Sequence, residues 1–166
     1  MVNYIDLLLS KVSNADDILP LLINKIQQEK ETAIANVLSA LVVLLDLYNN
    51  ELSVDLLHKK WDYLKNIIAT KLPTCKKEIR IDLGDARHLN LANNTASLLI
   101  TSPPYINVFN YHQKYRRSVE ALGYNVLTIA KNEFGSNRKN RGNRLLTVVQ
   151  YCIDMALSIK EAIRVC

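Results

Sequence analysis

Glycine, proline and cysteine are all scarce in this chain, whose 166 residues include 4 Gly, 4 Pro and 3 Cys. The glycines stand singly, so the sequence contains no glycine-rich strand-turn-helix segment that would let the backbone approach a cofactor closely. Cys75, Cys152 and Cys166 lie far apart, with no Cys-x-x-Cys pair and no His/Cys spacing typical of a metal site. These absences exclude a zinc module and a disulfide framework, and they predict reduced thiols in a cytoplasmic protein.

Long apolar runs are missing as well. The longest one, Ala40–Leu45, is far shorter than a membrane-crossing helix, which needs roughly 20 apolar residues. The N-terminus has no basic stretch followed by an apolar one and a small-residue cleavage site, so we predict no secretory signal. A chain of 166 residues is long enough for one core with a small helical appendage.

Helical patterns fill residues 1–72. A short helix is predicted over Asn3–Val12, and a second over residues 14–28, capped within Asn-Ala-Asp-Asp. In the third, Glu31–Tyr48, apolar residues recur with the 3.6-residue period of an amphipathic helix. Ser53 is a suitable cap for a fourth helix.

We therefore predict a helical N-terminal region over residues 1–75, and two roles are open for it. It is either a packing module or a region that recognises DNA or a partner. No basic stripe with base-reading residues is visible, which favours the packing role. Trp61 shares one helix face with Leu57, Leu64 and Ile68 and is interpreted as a core residue.

The second half of the chain changes its period. Glu78–Leu83 alternates apolar and charged residues, which predicts a strand, and Gly84 permits a tight turn after it. Leu98–Ile100 predicts a second strand, and Leu145–Ile163 predicts a helix whose continuous apolar face packs on the sheet. These elements predict an α/β fold for residues 76–166.

The second predicted strand runs into Ser102-Pro103-Pro104-Tyr105. A proline pushes the residue before it toward extended geometry, and the two prolines donate no backbone hydrogen bond. The corner therefore offers carbonyl acceptors, one hydroxyl and one flat ring, at the strand end where α/β proteins bind ligands. The alternative is that Pro-Pro marks a simple turn.

Ser-Pro-Pro-Tyr after a hydrophobic strand resembles the catalytic motif of DNA methyltransferases that modify exocyclic amino groups, which reads Asp/Asn/Ser-Pro-Pro-Tyr/Phe/Trp. Upstream, Ile81–Arg87 is similar to the Gly-Asp-Ala segment of that family, and the resemblance covers roughly residues 76–166. It implies a partial Rossmann-like class I methyltransferase domain there, with S-adenosyl-L-methionine as cofactor and double-stranded DNA as partner. The serine form of the motif is associated with cytosine-N(4) enzymes, whereas adenine-N(6) enzymes usually carry aspartate.

The resemblance also implies roles for single residues. The catalytic residues would be Ser102, Pro103, Pro104 and Tyr105. Tyr105 would stack on a flipped cytosine, while the Ser102 hydroxyl and the Pro103 carbonyl accept hydrogen bonds from its amine during an in-line methyl transfer. Three residues would line the cofactor pocket, namely Asp85, Thr101 and Ser102. From its position alone, Asp85 could equally cap the turn that follows it.

The missing glycine-rich motif decides how the resemblance is interpreted. It fits the permuted order of this family, in which the catalytic motif precedes the cofactor motif. The chain then looks like the N-terminal part of a longer enzyme or one half of a split one, from a restriction-modification system. The alternatives are an adenine-N(6) enzyme and an inactive truncated fragment that binds only DNA or a partner.

Positive charge is concentrated in residues 106–144, where eight Lys or Arg face two Glu. The segment opens with a predicted helix capped by Asn110 and closed by Gly123, and continues into a polar, glycine-punctuated stretch. It is either a solvated loop or a phosphate-binding arm beside the Ser-Pro-Pro-Tyr corner. We assign DNA contacts to six of its residues, Arg116, Arg117, Arg138, Lys139, Arg141 and Arg144.

Replacing Arg138, Lys139, Arg141 and Arg144 by alanine should weaken the salt dependence of duplex binding. Each phosphate contact contributes a slope of about −0.9 to log affinity against log salt, so four lost contacts flatten it by as much as about 3–4 units. The loss should be equal for cognate and random duplexes, and Ser102→Ala should spare DNA affinity. An unchanged slope in the quadruple variant would identify the stretch as a solvated loop.

Overall fold

A computed structural model describes residues 1–30, 32–72, 77–106, 113, 115–130, 132–134 and 143–166. The helices of these ranges are α1 (Val2–Leu9), α2 (Ala15–Gln28), α3 (Ala33–Leu45), α4 (Val54–Thr70), α5 (Arg116–Ala121), α6 (Val126–Ile129) and α7 (Arg144–Val165). The chain divides into two compact units, the first comprising residues 1–76 and 113–126 and the second comprising residues 77–112 and 127–166.

The predicted α/β fold is wrong. Within the described ranges the structure is helical and contains no strand, and a partial Rossmann-like sheet is therefore not formed. The one backbone pairing between extended residues there is an isolated antiparallel bridge from Asp85 to His88. The two segments predicted as strands have no regular structure, and their apolar side chains are exposed, Ile81 to 90% and Ile100 to 87%. Apolar and charged residues do alternate in residues 78–83. Two short strands are nevertheless only marginally stable when no other element covers their apolar face.

The N-terminal helices follow their local signals closely. The Ser53 side chain accepts a hydrogen bond from the Leu56 amide at 3.1 Å, which confirms the predicted cap of α4. Thr32 caps α3 in the same way. α3 ends at Leu45 instead of Tyr48, because Asp46 adopts a left-handed conformation with φ 48°.

The core of the first unit lies around α3, which packs against α2, α4 and α5. Trp61 is buried in this core, as predicted, and its indole Nε1 donates a 2.6 Å hydrogen bond to Asp6 Oδ1 on α1. The other buried apolar side chains of this core are Ile5, Leu9, Val12, Ile18, Leu22, Leu38, Leu41, Val42, Leu45, Leu57 and Leu64.

The short helix α5 joins this first unit. It begins at Arg116, later than predicted, and Asn110, its predicted cap, lies outside the described residues. Gly123 has φ 90°, which confirms the predicted left-handed residue after the helix. The fully buried Ser118 accepts a 3.1 Å hydrogen bond from the Leu47 amide, and this bond joins α5 to the turn after α3.

The face of α7 that the sequence predicted to be buried is exposed. Its buried residues are Thr147, Asp154 and Val165, whereas the predicted apolar face, including Leu145 and Ile163, faces solvent. Periodicity identifies an apolar face but not what covers it, and no sheet is present in the described ranges to do so. Although α7 has 22 residues, neither it nor any other described helix is long and apolar enough to cross a bilayer.

Leu41→Ala should destabilise the first unit by about 2–5 kcal/mol, because truncating a fully buried leucine leaves a cavity. Leu7→Ala is the matched control, since Leu7 is mostly exposed on α1 and surface changes usually stay within about 0.5 kcal/mol. Urea unfolding followed by tryptophan fluorescence measures the first unit selectively, because Trp61 is the chain's one tryptophan. Equal losses in the two variants would contradict the placement of the core around α3.

Candidate functional site

Residues 101–104 line a cleft in the second unit, with a volume of about 410 Å³. The segment has no regular secondary structure, as expected for two consecutive prolines, which fit neither a helix interior nor a central strand. From α7, the Tyr151 hydroxyl donates a 2.9 Å hydrogen bond to the Pro104 carbonyl. This bond fixes the end of the segment on the helix that forms the opposite wall.

The lining of the cleft is mostly apolar. Leu89, Leu99, Phe134 and Met155 contribute large side chains, and no residue of the described lining carries a charge. The polar groups are the hydroxyls of three residues, Thr101, Ser102 and Ser158, together with the backbone. An apolar cleft with a few acceptors suits a flat, uncharged ring that carries a hydrogen-bond donor.

Tyr105 lies outside the lining of this cleft. Ser102, Pro103 and Pro104 line it, whereas the Tyr105 side chain is 66% exposed. The structure therefore brings three of the four predicted catalytic residues together at one cleft. The fourth, Tyr105, follows them directly in the sequence, and its side chain is exposed.

Asp85, predicted to line a cofactor pocket, is not among the lining residues. Its carboxylate accepts hydrogen bonds from the Arg87 amide at 2.9 Å and from the Arg87 guanidinium at 2.7 Å. The hydrogen bond to the Arg87 guanidinium lowers the pKa of Asp85. This is the geometry of an aspartate that caps its own turn, the role that its position in the sequence also allowed.

Arg87 is the residue that sequence reasoning missed. It donates from Nη1 to Oδ1 of Asp154 on α7 at 2.9 Å and from Nη2 to the Asn132 carbonyl at 3.0 Å, and it lies 5.9 Å from the Phe134 ring. The hydrogen bonds to the carboxylates of Asp85 and Asp154 raise the pKa of Arg87. Arg87 thereby holds the wall of the cleft that Phe134 forms. Two features of the sequence could have indicated the role of Arg87. One is the pair Asp85 and Arg87 directly after Gly84, and the other is Asp154, a single acid in the middle of an apolar helix.

A second arginine joins the loop before the motif to the end of α7. Arg164 donates to the carbonyls of Leu89 and Leu91 at 3.0 and 2.8 Å and to Glu161 at 2.8 Å. Glu161 in turn accepts from the Leu89 amide at 3.0 Å. The Arg164 hydrogen bond and then the Leu89 amide lower the pKa of Glu161 to about 2. The loop that contributes Leu89 to the cleft is thus fixed through the Leu89 amide, which donates to Glu161, and through the carbonyls of Leu89 and Leu91, which accept from Arg164.

The structure describes three of the six predicted DNA-contacting residues. Arg116 and Arg117 belong to the first unit, where Arg116 pairs with Glu120 at 2.7 Å and Arg117 lies 5.5 Å from the Tyr48 ring. Arg144 is exposed at the start of α7 in the second unit. The remaining three, Arg138, Lys139 and Arg141, lie outside the described residues.

The cleft does not fit S-adenosylmethionine. This cofactor carries a sulfonium, an ammonium and a carboxylate, and an uncharged lining offers none of them an ionic partner. No glycine is among the described residues that line the cleft, and the Asp85 carboxylate is held by Arg87. A search of the described residues finds no group of three or more His, Cys, Asp or Glu suited to a metal ion.

Acid should loosen the loop at Leu89, because the pKa of Glu161 is lowered from its ordinary 4.5 to about 2. A group with a lowered folded pKa stabilises the fold above its unfolded pKa and loses that effect as pH falls through the folded pKa. The protection of the Leu89 amide against hydrogen exchange, corrected for the intrinsic rate, should therefore decrease between pH 4.5 and pH 2. Glu161→Gln should remove this pH dependence, and Glu78→Gln, an exposed control in the same unit, should keep it. A Glu161 titration midpoint near 4.5 would contradict the contact.

Comparison with protein-family models, with curated protein sequences and with solved structures found no match for this chain. Its function must therefore be inferred from its own residues. The features that bear on it are the Ser102–Pro104 cleft, the uncharged lining and the exposed ring of Tyr105.

Proposed function

We propose that this chain is the base-binding part of a cytoplasmic DNA methyltransferase that acts on the exocyclic N(4) amine of cytosine in double-stranded DNA. Its methyl donor would be S-adenosyl-L-methionine, and its setting a restriction-modification system. The observation that carries the proposal is the Ser102–Pro104 segment, which is anchored by Tyr151 and placed along an apolar cleft.

The chemistry of this segment suits an amino-bearing base. The Ser102 hydroxyl and the Pro103 carbonyl are acceptors, and the prolines contribute no competing N–H donor. An exocyclic amine has two N–H donors and would be held by such a pair, while its ring is covered by apolar side chains. The cleft thereby supplies positioning, which is the main contribution that this transfer requires of the residues around the amine.

Tyr105 supports the proposal through its exposure. A base inside a duplex cannot reach a cleft, so an enzyme that modifies it must flip it out of the stack. Stacking on an aromatic side chain is worth roughly 1–3 kcal/mol per base and offsets part of the unstacking cost. At 66% exposure, Tyr105 offers an accessible ring directly after the anchored segment.

The cofactor would be held by another polypeptide segment that carries the glycine-rich motif. Two observations support the idea that base and cofactor are held by different polypeptides. The described residues that line the cleft are uncharged. Large apolar side chains lie exposed on residues 79–83, on Leu98–Ile100 and on α7. Exposed apolar surface of this extent is typical of a protein interaction site. The partner would cover these residues and complete the enzyme.

Co-expression of the chain with a polypeptide that supplies the glycine-rich motif, encoded beside it, should produce N(4)-methylcytosine, measured by mass spectrometry of the DNA. Ser102→Ala should abolish or strongly slow the methylation, because an acceptor for the amine is lost. Ser97→Ala, which removes an exposed hydroxyl outside the cleft, is the matched control. Tyr105→Ala should lower methylation, whereas Tyr105→Phe keeps the ring and should retain most of it.

Three results would count against the proposal in different ways. N(6)-methyladenine in place of N(4)-methylcytosine would show that the base is misassigned. Equal effects of Ser102→Ala and Ser97→Ala on methylation would show that the cleft takes no part in methyl transfer. Micromolar binding of S-adenosylmethionine to the chain alone, measured by calorimetry, would contradict the division between the two polypeptides.

A further inference from the structure

The first unit carries two adjoining clefts that methyl transfer does not use. One, of about 280 Å³, is lined by Asp46, Tyr48, Asn49, Gln113 and Tyr115. The other, of about 480 Å³, shares Tyr48 and Gln113 and adds three charged residues of α5, namely Arg116, Arg117 and Glu120. Together they form a polar groove, with a carboxylate at one end and two guanidinium groups at the other.

Two residues of this groove have strained backbones. Asp46 has φ 48° and Tyr115 has φ 56°. In the described part of the chain only one further non-glycine residue, Asn94, has a positive φ. The left-handed conformation is tolerated by the short polar side chain of aspartate but is costly for the bulky Tyr115, and such strain concentrates at functional sites. The bond from the Leu47 amide to Ser118 holds the two strained positions in place.

The Asp46 carboxylate is incompletely satisfied. Its Oδ2 accepts a 2.7 Å hydrogen bond from the side-chain Nδ2 of Asn49, but its Oδ1 is buried and has no hydrogen-bond partner. Asp46 also directly follows the C-terminal end of α3, where the helix dipole disfavours a negative charge. Oδ1 therefore lacks a hydrogen-bond donor, and Oδ2 becomes available to a donor of a ligand when the exposed Asn49 side chain moves aside.

The opposite part of the groove offers a ring and positive charge. Tyr48 is 70% exposed, and the Arg117 guanidinium lies 5.5 Å from its ring centroid. Arg116 is paired with Glu120. An aromatic ring flanked by guanidinium groups is the combination with which proteins hold a stacked base and its phosphate.

We propose that this groove binds a nucleotide whose base carries an exocyclic amino group. Tyr48 stacks on the base, Asp46 accepts a hydrogen bond from the amine, and Arg117 contacts the phosphate. A purely cationic ligand would be repelled by the arginines, and an apolar one would leave Asp46 unsatisfied. The nucleotide is either free or part of a single strand, and the inference does not depend on methyl transfer in the second unit.

Calorimetric titration of the full chain with CMP, UMP and cytidine tests the proposal. CMP and UMP differ at C4, an amine against a carbonyl, and at N3, a bare acceptor against an N–H that stands between two carbonyls. CMP should bind at least about tenfold more tightly, because its amine makes a charge-assisted hydrogen bond, whereas the uracil N–H would bring carbonyl oxygens against the carboxylate. Cytidine should bind more weakly than CMP, because it lacks the phosphate. Equal affinity for CMP and UMP would overturn the proposal, as would the absence of binding at millimolar concentration.

Substitutions separate the contributions of the groove residues. Asp46→Asn should fold, because asparagine tolerates the left-handed conformation, and it should abolish the preference for CMP over UMP. Asp55→Asn, an exposed acid at the start of α4, is the charge-matched control. Tyr48→Ala should weaken all nucleotides alike, whereas Tyr63→Ala removes an exposed tyrosine outside both clefts and should change nothing. Unaltered selectivity in Asp46→Asn would exclude Asp46 from the site.

Short oligonucleotides distinguish the two sources of the nucleotide. If the groove takes a strand, oligodeoxycytidylate should bind more tightly than CMP, with an affinity that falls as salt rises. If it takes a free nucleotide, the oligomer should bind no better than CMP. In either case oligodeoxythymidylate, which lacks the amine, should bind more weakly than oligodeoxycytidylate, and equal binding of the two oligomers would overturn the proposal.

Discussion

The ion pair between Arg87 and the buried carboxylate of Asp154 is the interaction on which the second unit most depends. A buried acid without a partner destabilises a protein strongly, so the guanidinium must stay where it is. From that position it fixes the turn at Asp85, the Asn132 carbonyl and the cleft wall at Phe134. The described residues contain no sheet. Hydrogen bonds and ion pairs to α7 therefore hold the loops of this unit, whereas an α/β domain is held together by paired strands.

The two units thus represent two ways of holding a chain together. In the first, α3 is surrounded by other helices, and burial of apolar side chains supplies the main driving force. In the second, the apolar side chains of α7 are largely exposed, and its polar and charged residues make the contacts. An arrangement with the polar face inside and the apolar face outside is typical of a surface that another molecule covers.

The sequence predicted what is determined locally. Ser53 as a cap, Gly123 as a left-handed residue and the burial of Trp61 all depend on neighbours within a few residues or on one helix face. The strands were not predictable in the same way, because a strand forms only where a distant segment pairs with it. The positive φ of Asp46 and Tyr115 was not predicted, although aspartate is one of the few residues that tolerate this conformation. The expectation that Ser102–Pro104 lies where a ligand binds rested on a strand that the described residues do not form. The cleft along this segment and the role of Arg87 both needed coordinates.

The exposed apolar side chains of residues 79–83 affect the association of this protein with other copies of itself in a cell. These side chains lie on extended backbone, and unpaired extended segments of that kind join to one another between molecules. Arg80 and Asp82, two residues apart in this segment, form an ion pair, so their opposite charges cancel and do not keep copies apart. Any surface that covers this segment soon after synthesis would raise the concentration at which the chain stays dispersed, because it would keep the segments of different copies apart.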